Sequence, residues 1–169
     1  MKIISRRANA LCHAFKNIYM PAAPEPALDQ PLLVVSYLGY DPVRAHPDDA
    51  GLDLQSAEDV RIAPGSRVLI HTGVRVAIPH GHVGYITPRS GLASAHGLTI
   101  LNAPGTIDAG YRGEIQVLMI NHGGRPVMVN RGDRIAQLVL HPIIAPRMEL
   151  VKSLPDTERG EGGFGSTGA

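Results

Sequence analysis

A chain of 169 residues, 44% hydrophobic and 18% charged with 19 glycines and 14 prolines, suits one compact core rich in turns rather than two domains or a helical bundle. The formal net charge of +1 lacks the basic face that a long nucleic acid demands, so no nucleic-acid partner is expected, while a small anion stays open. A single cysteine, Cys12, excludes an intramolecular disulfide framework and fits a cytoplasmic protein; no apolar run reaches the roughly 18 residues of a membrane span, "IAQLVLHPII" being broken by His141 and Pro142.

The first stretch, "MKIISRRANALCHAFKNIYM", has four basic residues and no acidic one and could form a short amphipathic helix before the proline-rich "PAAPEPALDQP". A targeting presequence looks like this; so does a disordered extension or a start codon assigned too early. Residues 1–30 are expected to be such an extension, residues 31–155 a barrel domain and residues 156–169 a C-terminal arm. From Leu32, short apolar runs alternate with Gly, Pro, Asn and Asp: "LLVVSYL", "RVLIHT", "VRVAI", "HVGYIT", "LTIL", "EIQVLMI", "PVMV", "RIAQLVL" and "RMELV". Each has strand length and many are β-branched, which predicts an all-β fold, a closed barrel or jelly roll that limits exposed edges. The one helix predicted inside it is "SGLASAHG", with Ser90 as N-cap and Gly97 as stop.

Four stretches carry polar residues that a β-sandwich does not need. In "PRSGLA" (Pro88 to Ala93), the amides of Ser90 and Gly91 beside Arg89 could hold an anion; a capping serine and a solvated arginine would look the same. "LNAPGTIDAGYRGEI" reads as strand, turn and strand, whose edge amides could read the rim of a flat base, with Asn102 adding a side-chain amide. Asp108 there is a carboxylate near neutrality, able to take a proton from water, or simply a turn aspartate with Tyr111 as core. "DDAGLDL" (Asp48 to Leu54) places three carboxylates within six residues, a candidate cation site or an aspartate-rich turn. His80 and His82 in "PHGHVGY" lack a third ligand at metal spacing and are expected to sit in a polar hairpin. "GDRIAQL" (Gly132 to Leu138) reads as a turn entering a buried strand with Gln137 on its inner face. No GxxxxGK[ST] phosphate loop occurs.

The end of the chain, "RGEGGFGSTG", is half glycine, so ordering it alone is costly and it should be mobile by itself. Glycine amides with the Ser166 and Thr167 hydroxyls could wrap a phosphate chain, Arg159 neutralise it and Phe164 stack on a base, a ligand thus supplying the ordering energy.

In this order, the five stretches resemble the five motifs of the trimeric dUTPases, from about Asp48 to Gly168. The resemblance implies a jelly-roll-like β-barrel, a homotrimer with active sites at subunit interfaces, each closed by a C-terminal arm, and magnesium-dependent hydrolysis of dUTP to dUMP and pyrophosphate. That reaction would limit uracil in DNA and supply dUMP for dTMP synthesis. It further implies that Asp108 is the general base, that Asn102, Thr106 and Ile107 hold uracil, that Tyr111 packs under deoxyribose and that Gln116 contacts substrate. Arg89, Ser90, Gly91 and Gln137 would position phosphates and water, with Asp53 behind them, fixing Arg89 or the hydrated Mg2+ without ligating it. The family often has a second acid where this chain has Gly110, which bears on the stiffness of the hairpin. The dCTP deaminases share the architecture, but the position of their catalytic glutamate falls on Leu118, which cannot shuttle a proton. A non-catalytic nucleotide-binding module would be expected to lack Asp108 or the tail, and both are present.

Overall fold

A computed structural model describes residues 30–163. Its strands are β1 (Leu33–Ser36), β2 (Gly51–Gln55), β3 (Val60–Ile62), β4 (Arg67–Ala77), β5 (His82–Pro88), β6 (Leu98–Ile100), β7 (Gly105–Asp108), β8 (Glu114–Asn121), β9 (Val127–Val129) and β10 (Arg134–Pro142), with α1 (Ser90–His96) between β5 and β6. One four-stranded sheet runs β1-β4-β8-β6, a second β2-β10-β5-β7, and β3 pairs with β9 in a separate ribbon. Every pairing is antiparallel. The two sheets close on one core, giving the jelly-roll-like β fold.

Strand β8 shows how the sequence specifies this. Its residues alternate between core and outer face, with Ile115, Val117, Met119 and Asn121 inward. Those apolar side chains meet Ile70, Val74 and Val76 of β4 and Leu54, Ile86, Ala136 and Leu138 of the facing sheet. Asn121 is tolerated in the core because its amide donates to the carbonyls of Ile62 (3.0 Å) and Arg125 (2.8 Å) and accepts from the Gly123 amide.

Several expectations need correction. "RVLIHT" and "VRVAI" form one strand, β4, interrupted by a register shift between His71 and Arg75 with Gly73 at φ +70°. β2 and β3 were not anticipated: β2 lies inside the aspartate-rich "DDAGLDL", whose polar composition hides its strand. "RMELV" is not a strand; β10 is the last, and Ile144, Met148, Leu150 and Leu154 beyond it are 86%, 93%, 102% and 83% exposed. Ser90 is not the N-cap. Arg89 has that place, in an extended conformation, its carbonyl accepting the first helical bond from Ala93 at 3.1 Å, so Ser90 is already helical. Gly97 does end the helix, at φ +69°.

Two expected hairpins also differ. Asp108 and Glu114 flank a turn, but β7 pairs with β5 and β8 pairs with β4 and β6, so this connection passes between sheets. His80 and His82 likewise lie at a turn from β4 in one sheet to β5 in the other.

Candidate active site

Strand β7 is the last strand of its sheet; β5 occupies one side and, among the described residues, the other edge carries no strand. Its free edge borders a cleft that brings together Asn102, Thr106, Ile107, Asp108, Tyr111 and Gln116, with Leu69, Glu114 and Leu118 in the walls. Gly105 is buried opposite Ile86 in the β5-β7 register. Asp108 is exposed at the end of β7 and holds the turn through its carbonyl, which accepts from the Tyr111 amide at 3.0 Å. Tyr111 Oη donates to the Glu114 carbonyl at 2.9 Å. Gly113 makes that posture possible, because a Cβ there would overlap the Tyr111 hydroxyl and lie 2.9 Å from its Cε2.

A second cleft contains Asp53, Arg89, Ser90, Gly91 and Gln137, together with His46 and Asp49. Asp53 lies on β2, Gln137 opposite it on β10, and Arg89 just past β5, so one sheet positions all three. The Asp53 carboxylate holds two guanidiniums: Arg89 Nε at 3.0 Å from one oxygen and Arg134 Nη1 at 3.0 Å from the other. Arg89 also donates to the Arg134 carbonyl at 3.1 Å. Gln137 Nε2 donates to the Pro88 carbonyl at 3.3 Å. Gly51 gives Gln137 its room, since a Cβ there would overlap the Gln137 amide oxygen and lie 3.0 Å from its Cβ.

Distance separates the two clefts within one chain. Asp108 pairs opposite Val83, and Arg89 follows six residues further along the same direction of β5, so Asp108 and Arg89 stand about 20 Å apart at the rise of an extended strand. Arg159 is exposed in the C-terminal segment, its Nε donating to the Gly162 carbonyl at 2.9 Å. Phe164, Ser166 and Thr167 lie outside the described residues. Arg134, Gly51, His46 and Glu114 were not singled out from the sequence for this site, whereas Asp49 is one of the three carboxylates of "DDAGLDL". Gly51 had a signal, a lone glycine inside an acidic stretch, whereas Arg134 becomes visible only through the β2-β10 register.

Among the described residues, no group of three or more His, Cys, Asp or Glu side chains is arranged to hold a metal ion. Both Asp53 oxygens already accept from arginine. This donor set does not cage an ion by itself; it fits magnesium, which keeps several waters and is held largely by substrate phosphates with one or two carboxylates nearby. Asp49 and Asp53 both line this cleft. Among the described residues no helix is long and apolar enough to cross a membrane.

The fold and the two clefts define a jelly-roll-like β protein with an open strand edge bordering one cleft and a second cleft that contains Arg89 paired with Asp53. The dUTPase family model matches residues 39–168, and the chain belongs to the dUTPase family. It is 58% identical over 128 residues to the deoxyuridine 5'-triphosphate nucleotidohydrolase of Cutibacterium acnes, covering 75% of this chain and 84% of that one. The enzyme of the same description from Clostridium kluyveri is 57% identical over 127 residues, covering 75% and 89%. Among solved structures, a mutant dUTPase of Staphylococcus bacteriophage 80alpha with dUpNHpp superposes with a TM-score of 0.74 at 33% identity, over 82% of this chain and 99% of that one. A mutant dUTPase of the S. aureus phage phi11, in which a structural Mg(II) ion is coordinated, gives 0.68 at 33% identity, over 73% and 98%.

Proposed function

We propose that this chain hydrolyses dUTP to dUMP and pyrophosphate in the cytoplasm, as a magnesium-dependent homotrimer whose sites each draw on more than one copy. The observation that carries the reading is Asp108 at the end of a free strand edge, in the same cleft as Asn102 and Tyr111. Asn102 and the main chain of Thr106 and Ile107 present donors and acceptors to the rim of uracil. A site built to hydrogen-bond one base rejects the mismatched pattern of cytosine by about 10⁴-fold. Tyr111 packs beneath deoxyribose where a 2′-hydroxyl would clash, and Gln116 adds a contact from the neighbouring strand. Leu118 in the cleft wall offers no proton shuttle, which disfavours deamination.

In the hydrolysis, the Asp108 carboxylate takes a proton from water as its oxygen bonds to the α-phosphorus; the bond to the bridging oxygen breaks and pyrophosphate leaves. General-base assistance of this kind is worth roughly 10²- to 10⁴-fold. Preorganised donors carry most of the remainder by meeting charge as it develops on the phosphate oxygens. Arg89, Ser90, Gly91 and Gln137 supply those donors, and Asp53 keeps Arg89 aimed. Asp53 and Asp49 would stand beside a bound magnesium, which would supply charge neutralisation along the phosphate chain. Arg159, Ser166 and Thr167 close over the phosphates and Phe164 over the base.

The span of about 20 Å between Asp108 and Arg89 of one chain exceeds what an α-phosphate and its donors can share. A second copy therefore brings its arginine cleft to the first copy's base cleft. Ile144, Met148, Leu150 and Leu154, exposed on one chain, become the apolar surface that such an assembly covers. The test is pyrophosphate release from dUTP, dCTP, dTTP and UTP with and without magnesium. Turnover confined to dUTP and dependent on magnesium supports the reading; equal rates on dCTP or UTP refute it.

A further inference from the structure

We infer that Glu114, paired with His71, is a positioning residue for the nucleoside cleft, setting Tyr111 and thereby the discrimination between deoxyribose and ribose. This rests on the reading that Tyr111 packs against the sugar. The register of β4 against β8 passes from His71 opposite Gln116 to Arg75 opposite Glu114, so four residues of β4 are spent against two of β8. The Gly73 amide, displaced from the ladder by that bulge, donates to Glu114 Oε1 at 2.7 Å. The other Glu114 oxygen lies 3.0 Å from His71 Nδ1. The main chain of the same residue accepts from Tyr111 Oη at 2.9 Å.

A carboxylate that only patched a bulge would need neither a histidine partner nor a place in a cleft wall. Glu114 has both: it borders the same cleft as Asp108, Tyr111 and Gln116. It touches the β4 bulge with its side chain and the tyrosine with its backbone. His71 is itself fixed, its amide donating to Glu58 at 2.9 Å, and Gln116 Nε2 stands 3.1 Å from the same Nδ1. That ring nitrogen has room for one partner at a time. Carrying a proton it donates to Glu114; without one it accepts from Gln116 and releases Glu114.

The hydrogen bond to Glu114 raises the His71 pKa above its ordinary value, against an opposing effect of burial and with help from the charges of Glu114 and Glu58. Burial pushes Glu114 upward, but the bonds from His71 and the Gly73 amide outweigh it and leave the carboxyl below its ordinary range. The other charged groups around the pair are Arg75, opposite Glu114 with its guanidinium 5.1 Å over the Tyr37 ring, and Asp108 in the cleft. The pair is therefore fully charged in mildly acidic solution, and the cleft loses its positive partner as pH rises through the raised histidine pKa.

The experiment measures kcat and KM for dUTP and UTP from about pH 5.5 to 9 in the full-length wild type, Glu114→Gln, Tyr111→Phe and the double variant, with His71→Gln as a second route to breaking the pair. Glu114→Gln keeps an acceptor for the Gly73 amide, so the bulge stays closed. It is expected to raise KM for dUTP about tenfold with kcat little changed, to lower the dUTP over UTP preference by a similar factor, and to remove the pH inflection in KM that His71 gives the wild type. The double variant should be no worse than Tyr111→Phe alone. Additive losses in the double variant, or an unchanged KM, preference and pH profile in both Glu114→Gln and His71→Gln, overturn the inference. Tyr111→Ala separates the two layers. If it leaves the dUTP over UTP preference intact, the sugar reading fails; if it abolishes the preference while Glu114→Gln does not touch it, only the positioning role fails.

Discussion

Copies carrying Asp108→Asn and copies carrying Arg89→Ala, each expected to be nearly inactive alone, should recover activity when they assemble together. The expectation comes from the length of β5: with Asp108 opposite Val83 and Arg89 six residues beyond, the two side chains of one chain start about 20 Å apart and cannot serve the same phosphorus. A working site then takes Asp108 from one copy and Arg89 from another. In randomly mixed trimers with equal amounts of both variants, half of the first donors and half of the second are intact, so about a quarter of all sites are competent. Arg89→Ala leaves Asp53 its bond to Arg134, at 3.0 Å, so the sheet is not asked to bury an unpaired carboxylate. The assay is dUTP turnover by co-expressed, differently tagged variants purified through both tags, compared with each variant alone. Purification through both tags keeps only the mixed trimers, each with about a third of its sites competent, so activity near a third of wild type fits shared sites. A mixture no better than the two single variants would show that each chain builds its own site, and the separation along β5 would then have to be bridged by movement within one copy.

Asp53→Asn should remove charge from two guanidinium contacts, of which the Arg89 side is 28% exposed and the Arg134 side 47%; with Asn keeping one acceptor, the loss is about 1–2 kcal/mol, read as a lower Tm, and kcat/KM falls about 10- to 100-fold because Arg89 is no longer aimed. Truncation before Arg159 should leave the Tm within a few degrees and reduce kcat/KM severely, since among the described residues no strand or core residue lies beyond that point; an undiminished rate refutes the role of the arm. Gly97→Ala should cost about 2–4 kcal/mol in thermal or urea unfolding, because φ is +69° and the new Cβ would stand 2.9 Å from Gly123 Cα and 3.1 Å from the His122 carbonyl carbon. For pH, the raised His71 contributes fully below about 6.5 and is lost as pH rises through its folded pKa, whereas the lowered Glu114 contributes above about 4.5 and is lost as pH falls through its own. Stability from the pair is therefore greatest between those values, worth at most about 1 kcal/mol given its exposure, and His71→Gln should flatten that part of the pH profile.

The all-β character is legible in the sequence because it is a local property, whereas Thr106, Ile107, Gln116 and Asp53 are picked out only through the order of the five motifs. Alternation in "EIQVLMIN" depends on one strand and its two faces, and the α1 stop at Gly97 depends on one backbone dihedral. Pairing is not local. Nothing in "LNAPGTIDAGYRGEI" indicates that β7 joins β5 while β8 joins β4, since a strand's own pattern specifies which face is buried and not which neighbour it bonds. The same limit hid Arg134 as a partner of Asp53, and it hid β2, whose aspartates read as a turn until the arginines that pair with Asp53 are brought beside it.

"RMELV" failed for the opposite reason. Its apolar residues have strand length, yet Met148 and Leu150 are fully exposed among the described residues. Apolar periodicity reports that a surface will be covered, and it is silent on whether the cover belongs to the same molecule. That ambiguity and the span along β5 lead to the same requirement. Under the proposed assembly, other copies would both bury the C-terminal apolar segment and complete the cleft of Asp108, which lies about 20 Å from Arg89 of its own chain. Folding and catalysis then share one interface, so a substitution that weakens contacts of the exposed Leu150 or Leu154 should lower activity and the assembled mass together.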